Sequence, residues 1–322
     1  MGVWVVGADA LARSRFTVSA LAETVAALSV LAGRQPQPWQ RPWLREHLST
    51  FQQRLADDAT DAAVVDAVLR PRWVCDFITV PPRPEDRTFH DELRRVRATP
   101  LAVARADLRE GLGGPLPRLL RGTDVVDRTA DLLEWVWTQT VRPDWPRRHR
   151  VFEADIVART QEVAARGWAG AIEGMRPNMR WLGDGRLQIN TLDYPPRDIS
   201  GAELLFVPTS SRGGWVAWDE PDRYAVIYPC SGALADPIAV DQSASAALRR
   251  LLGPARALVL AQLGSPKSTT QLVALTGYGL GSVGGHLKVL LDAGLVRRRR
   301  SGRSVLYFRT RTGDQLAATA RH

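Results

Sequence analysis

Through the first 175 residues, apolar positions recur every three or four places, a spacing that puts apolar side chains on one face of a helix. Leu44, Leu48, Phe51 and Leu55 are the clearest example. Interruptions by Pro or Gly divide this region into separate helices. Helices are predicted over residues 20–31, 43–56, 61–69, 88–97, 124–141 and 151–174.

The pattern changes after residue 175, where short β-type runs alternate with turns that contain Gly or Pro. A hairpin is predicted over residues 179–190, around Gly183-Asp184-Gly185. Further strands are predicted over residues 203–207, 215–218 and 224–228. Residues 1–240 are therefore predicted to form a mainly helical domain that ends in a small antiparallel sheet, an α+β fold. A linker is predicted at 236–245.

The last part of the chain predicts two helices, a tight turn between them, and a β-hairpin. Ser268 and Gln271 have the spacing of a capping box, which would start a helix that ends at Thr276-Gly277. The second helix is predicted over residues 280–293, and Gly294 suits its C-terminal end. Its apolar stripe consists of Val283, Leu287, Leu290 and Leu291. Two strands, 295–300 and 303–309, are predicted on either side of Ser301-Gly302.

This order of elements is typical of a winged helix-turn-helix, in which the second helix enters the major groove of DNA. We therefore predict a C-terminal winged helix-turn-helix domain over residues 246–322. Its recognition helix is 280–293 and its basic wing is 296–309. Two shorter helices, 246–252 and 255–263, precede the motif.

The net charge of +9 is concentrated in this same part of the chain. Residues 243–322 contain 13 Lys and Arg but only two Asp and Glu, so the rest of the chain has a small negative balance. All 11 tryptophans, in contrast, lie between Trp4 and Trp218. This asymmetry is expected of a nucleic-acid-binding module joined to a near-neutral partner domain.

The other composition signals favour a cytoplasmic protein. The chain contains no run of 18 apolar residues, so no membrane span is predicted. Its N-terminus lacks the pattern of a secretory signal. The two cysteines, Cys75 and Cys230, are too few and too far apart for a disulfide framework or a CxxC metal site.

The segment from Leu251 to Arg309 resembles the winged-helix domain of the ArsR/SmtB (arsenical-resistance repressor) family. The matching stretches are TTQLVALTG and GHLKVLLDAGLVRRRRSGRSVLYFR. Three stretches of the first domain, RFTVSALAETVAAL, ELLFVPTSSRG and AVIYPCSG, more loosely resemble the N-terminal region of large ArsR-like regulators. The resemblance implies a homodimer that binds double-stranded DNA, and a repressor rather than an activator.

DNA contacts are predicted from the helix-turn-helix and from the wing. Gly284-Gly285 removes two side chains from the recognition helix, so we expect few direct contacts to bases. The wing arginines suit phosphates, because a guanidinium can bond phosphate through two N–H groups. The predicted DNA-binding residues are Ser268, Thr269, Gln271, Gly281, Ser282, Gly285, His286, Lys288, Arg298, Arg300 and Arg303.

The metal switch of the family is not expected in this chain. The cysteine-rich sites of its arsenic and cadmium sensors lie on the helix that corresponds to residues 269–276, and this segment contains no Cys. Asp314 and His322 lack metal-ligand spacing for the other site. No metal or other cofactor is therefore predicted.

The sequence contains no enzyme motif in the context that its chemistry requires. Gly279 to Gly284 matches G-x-G-x-x-G, but a predicted helix precedes it where a nucleotide site needs a strand. Cys230 is interpreted as a small core residue rather than a nucleophile. No catalytic residue is predicted.

The sequence is consistent with two hypotheses about the function of the first domain. Its tryptophans could line a pocket for a small-molecule effector, or they could fill the core and a dimer interface. An enzymatic first domain is the weakest alternative.

Overall fold

A computed structural model describes residues 2–37, 40–71, 73–230, 246–264, 266–301 and 304–319, so the predicted linker 236–245 lies outside the described residues. The described chain has an α+β fold and divides into two compact units. The N-terminal unit comprises the described residues of 1–146 and 159–230. The C-terminal unit comprises those of 147–158 and 231–322. Residues 147–158, which lie inside the predicted first domain, thus group with the C-terminal unit.

The helices of the N-terminal unit follow the predicted apolar spacing closely. They are α1 (Ala8–Arg13), α2 (Ala20–Leu31), α3 (Arg41–Asp57), α4 (Ala59–Val68), α5 (Phe89–Arg97), α6 (Leu101–Leu112), α7 (Arg118–Arg121), α8 (Val125–Val136) and the second part of α9 (Trp145–Ile172). Side-chain caps start several of them: Ser19 accepts from the Ala22 amide, and Thr88 and Asp91 form a capping box.

Several helical regions differ from the prediction, which did not include the short helices α1 and α7. Helix α6 is not predicted, because Pro100 favours the end of a helix; in the structure α5 ends at Arg97 and Pro100 is the N-cap residue of α6. The predicted helix 124–141 ends as an α-helix at Val136. Its last residues, Trp137–Val141, form a wider π-helical turn.

The strands of the N-terminal unit form two four-stranded sheets and one short pair. They are β1 (Val3–Val5), β2 (Arg15–Phe16), β3 (Leu69–Arg70), β4 (Trp73–Val74), β5 (Arg180–Gly183), β6 (Arg186–Gln188), β7 (Arg197–Asp198), β8 (Glu203–Thr209), β9 (Val216–Asp219) and β10 (Arg223–Pro229). The strand orders are β5-β6-β1-β7 and β2-β8-β10-β9, with β3 paired to β4.

The predicted hairpin over residues 179–190 is confirmed as the antiparallel pair β5–β6. The prediction of an antiparallel sheet is wrong, however, for the strands that follow it. In the sheet β2-β8-β10-β9, strands β2, β8 and β10 run parallel and only β9 pairs antiparallel. The physical reason is burial on both faces, which favours parallel strands with continuous apolar runs over alternating ones. Leu205, Val207, Ala225 and Ile227 belong to the helical core. A second core on the opposite face holds their neighbours Leu204, Phe206, Tyr224 and Val226.

The C-terminal unit has its own apolar core, built around Leu260, Leu272, Val283, Leu287 and Leu290. Besides residues 147–158 of α9, its elements are α10 (Ala246–Leu252), α11 (Pro254–Gln262), β11 (Lys267–Ser268), α12 (Thr269–Thr276), α13 (Leu280–Asp292), β12 (Val296–Ser301), β13 (Ser304–Arg309) and α14 (Arg311–Thr319). The three strands form one sheet in the order β11-β13-β12.

Candidate nucleic-acid interface

Helix α12 begins with the capping box predicted from the sequence. The Gln271 amide donates to Ser268 Oγ over 3.2 Å, and the Ser268 amide donates to Gln271 Oε1 over 2.6 Å. Gly277, at φ 72°, ends the helix in the left-handed conformation that favours glycine. These two ends fix the short helix and the turn toward α13.

The capping box corrects two of the predicted DNA contacts. Ser268 and Gln271 are only 9% and 4% exposed. Besides its part in the cap, Gln271 donates from Nε2 to the carbonyl of Ala154 over 2.7 Å. Both side chains are therefore occupied inside the C-terminal unit and cannot reach a phosphate. Thr269 is half-buried and its neighbour Thr270 is exposed.

Helix α13 presents two distinct faces. Val283, Leu287 and Leu290 are buried, as the predicted stripe requires. The opposite side exposes Gly281, Ser282, Gly285 and Lys288, with His286 half-buried. All five of these predicted contact residues therefore lie on the accessible side of one helix.

Three glycines make this exposed side unusually smooth. A Cβ built at Gly281, Gly284 or Gly285 would meet no heavy atom within 4 Å. No neighbouring group therefore requires glycine there, although glycine costs about 1 kcal/mol per position in a helix interior.

The few polar side chains of this face interact with each other. Ser282 Oγ lies 3.2 Å from His286 Nε2. The His286 ring stands edge-on to Tyr278, with 6.0 Å between the ring centroids. This pair offers a small polar surface on an otherwise bare part of the helix.

The hairpin β12–β13 presents the strongest positive charge. Arg297 to Arg300 are all exposed. In the strand register, Arg298 is opposite Tyr307 and Arg300 is opposite Val305. Because side chains alternate along a strand, Arg298 and Arg300 lie on the same face as the buried Val296. Arg297 and Arg299 point to the other face. Arg303 lies outside the described residues.

Arg309, at the end of the predicted wing, has a different role. Its side chain is 9% exposed and pairs with Asp314 at 3.5 Å. Its Nε donates to the carbonyl of Leu260 over 2.8 Å, and its Nη2 donates to that of Ala261. This arginine joins the sheet to helix α11 and is not part of the exposed basic surface.

The structure also locates the residues of the alternative sites. Gly279 to Gly284 follow helix α12 and a turn instead of a strand. Cys75 and Cys230 are both buried, and burial raises the pKa of the Cys75 thiol. In the described part of the chain, no group of three or more His, Cys, Asp and Glu side chains is arranged to hold a metal ion.

The tryptophans of the N-terminal unit mostly lie in its cores. Trp4, Trp137 and Trp215 are less than 10% exposed. Trp135 borders a cavity of about 710 Å³ between α3, α4 and α8. There the Arg54 guanidinium lies 5.1 Å from the Trp135 ring centroid and 2.7 Å from Asp61, so the charges of this cavity are largely paired internally.

No protein-family model, curated protein or solved structure matches this chain. The family resemblance of residues 251–309 therefore rests on their sequence pattern. No helix among the described residues is long and apolar enough to cross a membrane.

Two features of the structure have no signal in the sequence. One is the packing of residues 147–158 into the C-terminal unit, which Gln271 reaches over a separation of 117 residues. The other is Arg176 of the N-terminal unit, a half-buried arginine in a turn without a distinctive sequence pattern.

Proposed function

We propose that this chain is a transcriptional regulator of ArsR-like type, which binds double-stranded DNA through a C-terminal winged helix-turn-helix. Helix α13 acts as the recognition helix and the hairpin β12–β13 as the wing. The observation that carries the proposal is the run of four exposed arginines, Arg297 to Arg300, on a hairpin that directly follows the helix pair.

We propose different roles for the wing and for α13, because their exposed side chains differ. The wing arginines supply affinity by neutralising phosphates. The bare α13 supplies few base contacts, so the protein discriminates weakly between sequences at each half-site. Two copies are needed for a useful operator, because one short helix reads few base pairs and half-sites about 34 Å apart restore selectivity. We therefore propose a homodimer that acts as a repressor.

The wing is tested by fluorescence anisotropy of the full chain on labelled duplex DNA at increasing salt. Replacement of Arg298 and Arg300 by Ala should weaken binding to all sequences and reduce the slope of log K against log salt by about 2, because two phosphate contacts are lost. Both side chains lie on the same face of the hairpin as Val296, which shares a core with the buried side of α13.

The matched control removes the same charge from the other face of the hairpin. The double variant Arg297→Ala/Arg299→Ala should change the slope by less than the first pair. Equal slopes for the wild type and Arg298→Ala/Arg300→Ala, or affinity that does not depend on salt, would falsify the wing assignment.

A sensor role of the N-terminal unit is the second candidate, because that unit contains Arg176, whose guanidinium pairs with no group among the described residues.

A further inference from the structure

Arg176 is a half-buried arginine with a buried guanidinium nitrogen. It lies in the turn between α9 and β5, next to the buried Met175 and Met179. Its Nη1 is buried without an acceptor, and no other hydrogen bond or ion pair to its guanidinium exists among the described residues. Burial lowers the pKa of Arg176 to about 10. An uncompensated buried charge is costly, and such groups concentrate at functional sites.

The side chain of Arg176 lies against the loop that follows strand β8. A Cβ at Gly214 would come within 3.1 Å of Arg176 Cδ and 2.1 Å of the Ile227 carbonyl oxygen. The Ile227 carbonyl requires glycine at this position, and the absence of a side chain also leaves room for Arg176. Strands β8 and β10 end side by side here, with Thr209 opposite Pro229. The carboxyl ends of parallel strands are where open α/β sheets bind ligands.

The loop offers hydrogen-bond donors as well. Among the described residues, the backbone amides of the four residues from Ser211 to Gly214 donate to no acceptor. Ser211 Oγ donates to the Gly213 carbonyl over 2.5 Å and lies 3.1 Å from the Thr209 hydroxyl, which holds the loop in shape. Successive unpaired amides form the kind of concavity that binds anions.

Two further guanidiniums lie at this end of the sheet. The Arg159 guanidinium carbon is 5.7 Å from the centroid of the Tyr228 ring, at the end of β10, and Arg159 also pairs with Glu162. Arg212 is exposed on the loop itself, where it donates to Gln35 over 3.1 Å. The buried carboxylate of Glu23 faces the start of the loop, where the Ser210 amide and hydroxyl satisfy it. Arg212 thus adds an exposed positive charge to the loop itself.

We propose that Arg176 and the loop 211–214 form a binding site for an oxyanion, the phosphate or carboxylate group of a small molecule. The ligand's oxygens accept from the guanidinium and from the free amides of the loop. A bound anion would balance the charge of Arg176, for which the described residues offer no partner. This makes the N-terminal unit a sensor of a small anionic molecule, and the site is independent of the DNA interface.

The site is tested by thermal unfolding of the full chain in phosphate, sulfate or acetate, against chloride at equal ionic strength. The anion of the preferred class should raise Tm by about 3 °C at ten times its Kd. A larger shift with phosphate and sulfate than with acetate identifies a phosphate-type ligand, and the reverse order identifies a carboxylate.

Arg176→Met separates this site from general anion effects. This variant keeps an apolar side chain of similar length but removes the charge. It should be more stable than the wild type in chloride and should no longer respond to the preferred anion. Arg180→Met, which removes an exposed arginine four residues away, should respond as the wild type does.

Two outcomes would overturn the proposal: an equal response of wild type and Arg176→Met, or no response of the wild type to any of the three anions. If Arg176→Met does not fold, anomalous diffraction from crystals of the wild type soaked in selenate gives the answer. Selenate bound at Arg176 and the loop supports the site, and selenate bound only elsewhere, or nowhere, contradicts it.

Discussion

At the scale of single residues, glycine decides what the candidate interface can do. Gly281, Gly284 and Gly285 leave three positions on the accessible side of α13 without side chains, and no neighbouring group requires glycine there. The sequence predicted this bare surface correctly, because the glycines and the apolar stripe lie on the same helix at known offsets. It did not predict that Gln271 turns inward, since the Ala154 carbonyl that holds it comes from a distant part of the chain.

We predict that Gly284→Ala and Gly285→Ala each stabilise α13 by about 1 kcal/mol, because alanine has the higher helix propensity and the new methyl group enters open space. Slower hydrogen exchange of the α13 amides would show this directly. Gly277→Ala is the matched control and should destabilise the unit, because φ at Gly277 is 72°. Faster exchange in either α13 variant would contradict the account.

At the scale of elements, the C-terminal unit depends on a helix that precedes it by about 90 residues. Gln271 connects α12 to residues 147–158 and caps α12 at the same time. Two functions of one side chain can be separated by substitution, since its oxygen serves the cap and its nitrogen serves the Ala154 carbonyl.

Gln271→Glu keeps the cap acceptor and loses the donor to Ala154, whereas Gln271→Ala loses both. We expect faster hydrogen exchange of residues 147–158 in both variants, and faster exchange of α12 mainly in Gln271→Ala, which should lose about 1–2 kcal/mol. Thr270→Ala, at the exposed neighbouring position, should match the wild type. Unchanged protection of 147–158 in both Gln271 variants would rule out this role.

Helix α2 is held at its N-terminus by a buried carboxyl group of α5. Glu92 accepts from the Ala20 amide over 2.9 Å, from the Leu21 amide over 3.3 Å and from the Ser19 hydroxyl. Burial nevertheless raises the pKa of Glu92 from 4.5 to about 7. Because the folded-state pKa is the higher one, protonation stabilises the folded state. This contribution is full below about pH 4.5 and is lost as the pH rises to about 7.

Glu92→Gln should therefore flatten the pH dependence of unfolding between these limits, by about 3 kcal/mol in total. Denaturant unfolding of the variant and the wild type at several pH values measures the difference. Glu85→Gln, which changes an exposed carboxylate nearby, should retain the wild-type dependence. A Glu92→Gln curve parallel to that of the wild type would refute the assignment.

At the scale of the whole molecule, the chain has two regions of different amino-acid composition, and they correspond approximately to the two compact units. The excess positive charge and the missing tryptophans marked the C-terminal part from the sequence alone. The bounds of α13 and of the hairpin also followed, because local spacing and glycine positions determine them. The parallel pairing of β8 and β10 could not be predicted from the sequence, because short apolar runs do not reveal which strands pair. The environment of Arg176 could not be predicted either, because it depends on tertiary packing.

The central claim is that the full chain binds duplex DNA through α13 and the hairpin. Hydroxyl-radical footprinting of the wild type on the DNA upstream of its own coding sequence tests this most directly. The account predicts two protected patches about one helical turn apart, which disappear in the variant Arg298→Ala/Arg300→Ala and persist when the exposed Arg87 is replaced by Ala. Two results would contradict the account. One is protection that is unchanged in the hairpin variant, and the other is the absence of a protected patch even at protein concentrations high enough for non-specific DNA binding.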